Sequence, residues 1–400
     1  MRINPDGLAF TLLLGLLAAL PALSIDISAP TLVILPAALG TSATVAGLTL
    51  SVFMVGFAAG QLTGGYTSDR YGRRPVLLIS LAGYIAAGLG CTMSFSGAAL
   101  VVFRLFQGVG AGSCSVLAFA IIQDLFESER ARRKRSYVTA VFGTVPILAP
   151  ALGTWTSGLA GWRAVHGILV LAGLALLAVV LLGAVGQSGR PKPATLDQTS
   201  VAVRLRNDQR FIGLALVNAL SYGSIFAYIA GLPVVMIGSM GYTPAAYAAV
   251  FASTAAALTL GAWTNGRIVP KYVDATRALN ASLVTAALAS LALVFCYVAR
   301  FDAGVTLIPP LLIALFCRGV IAPNIQHSAI ERRRNQAGIA SAAIGVSQIL
   351  MGALTSAVVA FLIPRLNVLA VAAPMSALTT SAVAVWWWLN RQEVAVGIGR

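Results

Sequence analysis

Gly65-Tyr66-Thr67-Ser68-Asp69-Arg70-Tyr71-Gly72-Arg73-Arg74 is a charged, glycine-bearing decapeptide wedged between two apolar runs. Upstream, from Asp6 to Asp69, the only ionisable acid is Asp26 and no basic residue occurs. Downstream, the chain is uncharged from Arg74 to Arg104. The decapeptide therefore reads as a short, rigid, basic hairpin between two membrane spans. As a solvated turn it would set topology whatever else it did.

Composition agrees with that reading. Hydrophobic residues make up 58% of the chain, charged residues 10%, and the mean hydropathy is +0.87. Soluble domains carry about 25% charged residues, so this is an integral membrane protein. At roughly 20 apolar residues per spanning helix, 400 residues leave room for a dozen spans and no sizeable soluble domain. The apolar runs are long and continuous, which argues helices and excludes an outer-membrane barrel. The predicted spans run at about 8–29, 44–65, 75–95, 99–122, 137–158, 164–185, 211–233, 245–264, 278–298, 304–324, 338–361 and 367–389. Between the sixth and seventh lies Gly186–Arg210, the longest polar stretch. It predicts two six-helix halves, 1–185 and 211–400, joined by a central loop at 186–210.

A net charge of +15 would suit nucleic acid, but its distribution points to the bilayer instead. Basic residues gather at alternate turns: Arg2; Arg70, Arg73 and Arg74; Arg130 and Arg132 to Arg135; the central loop; Arg267, Lys271 and Arg277; Arg332 to Arg334; Arg391 and Arg400. The opposite side holds only Arg163, Arg300 and Arg365, while Arg104 and Arg318 fall inside spans. That asymmetry places both termini and the central loop in the cytoplasm and supports an even span count. Cys91, Cys114, Cys296 and Cys317 lie in apolar runs without C-x-x-C spacing, as buried small hydrophobes do. No removable signal peptide is read at the N-terminus. No G-x-x-x-x-G-K-[ST] occurs, which argues against ATP drive, and no cofactor is expected. A polytopic membrane enzyme would need clustered catalytic polar residues; no H-E-x-x-H, paired intramembrane acids or histidine cluster is found. His166 and His327 sit near predicted span ends and are expected at the interface.

The pattern G-x-x-x-D-R-x-G-R-R of the decapeptide resembles the loop 2–3 signature of the major facilitator superfamily of transporters. Leu100-x-x-x-Arg104-x-x-Gln107-Gly108-x-Gly110-Ala111 resembles the span 4 signature of the drug–proton antiporters within it. Gly143-x-x-Pro146-x-x-Ala149-Pro150-x-x-Gly153 is similar to the antiporter motif of span 5, with Ala149 where glycine is usual. Gly319-x-x-x-Pro323-Asn324, and Ala337-Gly338-x-Ala340-Ser341-Ala342 with Gln348, resemble the bicyclomycin and chloramphenicol resistance branch. Gly261-Ala262-Trp263-Thr264-Asn265-Gly266-Arg267 echoes the Gly65 to Arg70 stretch, with Asn for the acid. A decayed repeat of this kind suits a two-halved transporter.

The resemblance implies an all-α membrane protein of the major facilitator fold, with twelve helices in two pseudo-symmetric bundles. It implies a monomeric proton-coupled exporter of small amphipathic compounds; a metabolite exporter is the alternative and a membrane enzyme the remote one. Its expected partners are substrate, protons and lipid, with no nucleic acid. Gly65, Asp69, Arg70, Gly72 and Arg73 would then be conformational, and Asp124 at the far end of span 4 could meet the arginines of loops 2–3 or 4–5. Pro146, Pro150 and Gly153 would act as a hinge.

Asp26 is the one charged residue in a predominantly apolar stretch of more than thirty residues, Leu8 to Leu39, broken by Pro21, Pro30 and Pro36. An ionised carboxylate there must face a polar cavity, pair with a cation or be protonated. It is the candidate proton-coupling and substrate-binding acid; the alternative is solvation at the periplasmic mouth. Arg104, which the resemblance implicates in proton transfer, lies at comparable depth, so a pair or a water-bridged relay with Asp26 is expected; snorkelling is the alternative. Asn218, Tyr222 and Tyr228 in span 7 are candidates for lining a substrate cavity. Arg318 departs from the family pattern and would either recognise an anionic group or snorkel to the cytoplasmic side.

Overall fold

The computed structural model describes residues 4–184, 208–300, 307–331 and 337–396. Most of the predicted central loop, and Arg332 to Arg334, lie outside the described residues. Those described are helical, with turns between and no strand. The long helices are α1 (Leu8–Asp26), α2 (Ala43–Tyr71), α3 (Arg73–Thr92), α4 (Gly97–Leu125) and α5 (Ser128–Val179). They continue with α6 (Gln209–Pro233), α7 (Pro244–Arg267), α8 (Ala275–Val298), α9 (Ile308–Glu331), α10 (Ala337–Leu366) and α11 (Leu369–Val396).

Among the described residues, 11 helices are long and apolar enough to cross a membrane. One of these, Glu129–Gly183, has 55 residues, about 80 Å if straight against a hydrocarbon core of about 30 Å. It breaks at Gly161, whose φ of 77° lies in the left-handed region that glycine enters without steric cost. Two spans therefore share one continuous helical run, giving twelve in all. Large apolar side chains such as Ile79, Phe95, Leu148 and Leu182 are exposed, as lipid-facing positions should be.

The decapeptide is not a hairpin loop. Helix α2 continues through Tyr71, and only Gly72, at φ 93°, separates it from α3. Thr67 and Ser68 donate their hydroxyls back to the carbonyls of Thr63 and Gly65, so polar residues extend the helix rather than end it. Likewise Arg130 and Arg132 to Arg135 lie on the opening turns of α5, not in a loop. Charge pattern alone marks where a segment leaves the bilayer, not where its helix stops.

The chain forms two compact units, bounded at Met1–Pro193 with Tyr242–Ala249 and at Ala194–Gly241 with Val250–Arg400. In the first, α2 and α4 pack backbone to backbone. A Cβ on Gly56 would lie 2.1 Å from the Leu105 carbonyl oxygen, and one on Gly60 2.1 Å from that of Val109. Reciprocally, Gly108 and Gly112 face the carbonyls of Phe53 and Phe57 at 2.1 and 2.2 Å. Small residues four apart on facing helices allow this approach. In the second unit Gly261 faces the Phe316 carbonyl at 2.0 Å and Gly319 that of Leu258 at 2.2 Å. The crossing of α7 and α9 thus repeats that of α2 and α4. Here α6 packs against α9, α10 and α11 around a core that includes Phe211, Val217, Leu283, Ile321 and Trp386.

Candidate functional site

Arg73 opens α3 and ties three helices' ends together. Its Nε donates to Asp124 Oδ2 at 2.8 Å, and its Nη1 to Asp69 Oδ1 at 2.5 Å and Ser68 Oγ at 2.6 Å. The single-residue link at Gly72 puts Arg73 beside the last turn of α2, and the close α2–α4 packing brings Asp124 within reach. Arg70 lies over its neighbour Tyr71 and makes no ion pair among the described residues. A Cβ on Gly65 would meet nothing within 4 Å. The second unit carries an uncharged counterpart: Asn324 on α9 donates its Nδ2 to Asn265 Oδ1 on α7 at 2.6 Å.

Asp26 is the last residue of α1 and is buried, 4% exposed. It makes no hydrogen bond or ion pair among the described residues. Burial removes the reading in which it sits solvated at a mouth. Arg104 on α4 is 1% exposed, which removes snorkelling. The expected direct pair is absent, however. Arg104 donates from Nη2 to the Ser24 carbonyl at 3.3 Å and to Ser28 Oγ at 3.2 Å, and from Nη1 to Gln107 Oε1 at 3.0 Å. Its guanidinium lies over Phe53, 4.3 Å from the ring centroid. Ser24 and Ser28 are four apart and share a face, whereas Asp26, two residues from Ser24, points more than half a turn away. Arg104 therefore grips the chain on both sides of Asp26, at the last turn of α1 and just beyond it, and leaves the carboxylate free.

The grip has a supporting shell. Ser24 Oγ is 2.8 Å from the Tyr84 hydroxyl, and the Cys91 thiol reaches Gln107 Oε1 at 3.8 Å. His166 is 2% exposed and sits edge-on to Trp162 at 5.9 Å, so it is not interfacial as the sequence suggested. Position near a span end misled there, because Gly161 lets the second half of the α5 run fold back into the bundle. His327 is exposed. Sequence reasoning passed over Ser24 and Ser28; their i, i+4 spacing around an embedded acid was the available signal.

Just past the end of α1, α5 approaches backbone to backbone. A Cβ on Gly153 would stand 2.0 Å from the Ile27 carbonyl oxygen, one residue beyond Asp26. Pro146 and Pro150 lie within the same helix, and Ala149 is buried. The span 5 motif thus abuts the segment that carries the acid.

In the second unit Asn218 and Arg318 are buried, 0% and 5% exposed, so Arg318 does not snorkel. Arg318 Nη2 donates to Asn218 Oδ1 at 3.4 Å, and Asn218 Nδ2 to Gln348 Oε1 at 3.0 Å. The guanidinium lies 5.8 Å from the Tyr222 ring centroid. Tyr228 is placed differently: its hydroxyl bonds Thr254 and its ring stacks on Phe251 at 5.4 Å, a helix–helix contact apart from Arg318.

The family model of the Major Facilitator Superfamily matches residues 14–356. The chain belongs to this superfamily of membrane transporters. It is 30% identical over 369 residues to the MFS-type transporter YdgK of Bacillus subtilis, covering 89% of this chain and 90% of that one. It is 27% identical over 358 residues to the bicyclomycin resistance protein homolog of Haemophilus influenzae, covering 88% of each. Among solved structures, a bacterial homologue of the human lysosomal transporter Spinster superposes with a TM-score of 0.74 at 15% identity, over 97% of this chain and 98% of that one. That likeness is one of fold: the superfamily's all-helical architecture is the one described above.

Proposed function

We propose that this protein is a proton-coupled efflux antiporter that exports small amphipathic compounds by alternating access of two six-helix halves, 1–185 and 211–400. The observation that carries the reading is the buried, unpaired carboxylate of Asp26, with Arg104 holding the chain on either side of it. An acid in that setting is costly when charged, so its proton can be traded against substrate or conformation. Arg104 acts as the positioning group, fixing the α1 backbone so that a change at Asp26 is felt by α4. The Arg73 clasp holds the ends of α2, α3 and α4 as one block during the cycle. Relatives named for bicyclomycin resistance support a drug-like substrate. In this reading the protein is a monomer in a bacterial inner membrane, with both termini cytoplasmic.

The test uses inverted membrane vesicles energised to be acid inside, with a pH-sensitive dye. Chloramphenicol, bicyclomycin and lipophilic cations are added to wild type and to Asp26→Asn. Dissipation of the gradient by a compound in wild type alone supports the reading. An equal response from the variant removes Asp26 as the coupling acid. No proton movement with any compound favours the second reading, export of a metabolite, for which the embedded Arg318 is the supporting observation.

A further inference from the structure

Arg318 is the one cation buried in the helices of the second unit without a carboxylate partner among the described residues. Its Nη2 is engaged by Asn218, but Nε and Nη1 have no hydrogen-bond partner. A buried guanidinium with orphaned donors is costly, and proteins retain such a group where a counter-charge arrives. Among the described residues no carboxylate pairs with it; Asp208 caps α6 at the Phe211 amide. From Gln209 onward the acids are Asp274, Asp302, Glu331 and Glu393. Asp274 is the N-cap of α8 and uses its carboxylate on the amides of Thr276 and Arg277. Glu331 ends α9, about 20 Å along the axis from Arg318. Glu393 is in the closing turns of α11, and Asp302 lies outside the described residues.

Arg318 lines a small cavity with the hydroxyl-bearing Ser221, Ser224 and Thr379. Met375 is shared between this cavity and a second one, walled by Leu232, Leu293, Leu311 and Val371. A cationic, hydroxyl-bearing pocket thus shares a flexible thioether side chain, which repacks readily, with a largely apolar one that Tyr228 also lines.

We infer that Arg318 anchors a site for one anionic group, a carboxylate or its equivalent, carried on an apolar body that extends past Met375 into the largely apolar cavity. The inference rests on the export reading and narrows its substrate class to amphipathic monoanions. Asn218 and Gln348 position the guanidinium and Tyr222 covers it. Charge-assisted bonds from the unpartnered Nε and Nη1 of a desolvated arginine give the recognition.

Calorimetry on purified full-length protein, with no proton gradient, tests it. The probes are the acid–amide pairs phenylacetate and phenylacetamide, 4-phenylbutyrate and its amide, and octanoate and its amide. The expected result is that at least one acid binds wild type about ten- to a hundred-fold more tightly than its amide, the effect of a charged hydrogen bond. Arg318→Gln should lose that preference while eluting as a monodisperse species, and Arg318→Lys should keep part of it. No acid preference in any pair, or a preference that survives Arg318→Gln, overturns the inference. Competition by sodium chloride as strong as by the acid overturns the organic assignment. Because binding is read at equilibrium, failure of proton-coupled export in the vesicle assay is a separate result.

Discussion

The Ile27 carbonyl oxygen stands 2.0 Å from where a Cβ on Gly153 would be. The span 5 motif therefore touches α1 within one residue of its buried acid. Gly153→Ala forces the two backbones apart and should cost about 1–3 kcal/mol, as other overpacked sites do. Gly143, on the same helix, has nothing within 4 Å of its Cβ position, so Gly143→Ala should stay within about 0.5 kcal/mol of wild type. Thermal unfolding of the two purified variants compares them directly. Equal midpoints would show that the glycine is not required for close packing.

Arg104 and Asp26 should respond with opposite signs. Arg104→Met removes the charged donor shared by the Ser24 carbonyl, the Ser28 hydroxyl and Gln107 Oε1, and should destabilise by about 1–3 kcal/mol. Arg104→Lys should recover little, because one ammonium cannot reproduce a planar fork spanning three acceptors. Asp26→Asn removes a buried carboxylate without a partner and should leave the melting temperature unchanged or raised while proton coupling is lost. Stability lost in Asp26→Asn would mean that the acid is a structural group.

The Arg73 clasp is separable into two contacts. Arg73 and Asp124 expose only 14% and 18% of their side chains, whereas Asp69 exposes 59%. A double-mutant cycle should give about 1 kcal/mol for Arg73 with Asp124 and about 0.3–0.5 kcal/mol for Arg73 with Asp69. Raising salt should weaken the second more than the first. Equal coupling energies would count against burial as the distinguishing factor.

The neutral clasp of the second unit makes a further case. Asn265→Asp places a carboxylate beside Asn324 Nδ2 and preserves the bond, so it should be tolerated. Asn265→Leu leaves Nδ2 with only its bond to the Val320 carbonyl and should cost about 1 kcal/mol. Melting temperatures of the two variants check the difference.

Much of the fold was legible because bilayer physics writes itself into sequence: apolar runs of span length, charges confined between them, prolines and glycines at fixed offsets. Burial of Arg318 and Asp26 was less so, since an embedded charge reads the same in sequence whether it snorkels, solvates or stays dry. Helix ends were misjudged at Tyr71 and Ser128 because polar residues can continue a helix beyond the membrane when their hydroxyls bond back to it.

The sequence by itself determined the membrane class, the number of spans and the superfamily signatures, since each depends on local composition and spacing. Only the tertiary structure decided what Arg104 holds. Ser24, Asp26 and Ser28 are neighbours in the chain, but the 100° turn per helical residue gives the Ser24 carbonyl and the Ser28 hydroxyl to the arginine and turns the carboxylate away. Which face a residue presents depends on where the neighbouring helix packs, and that is a property of the whole bundle.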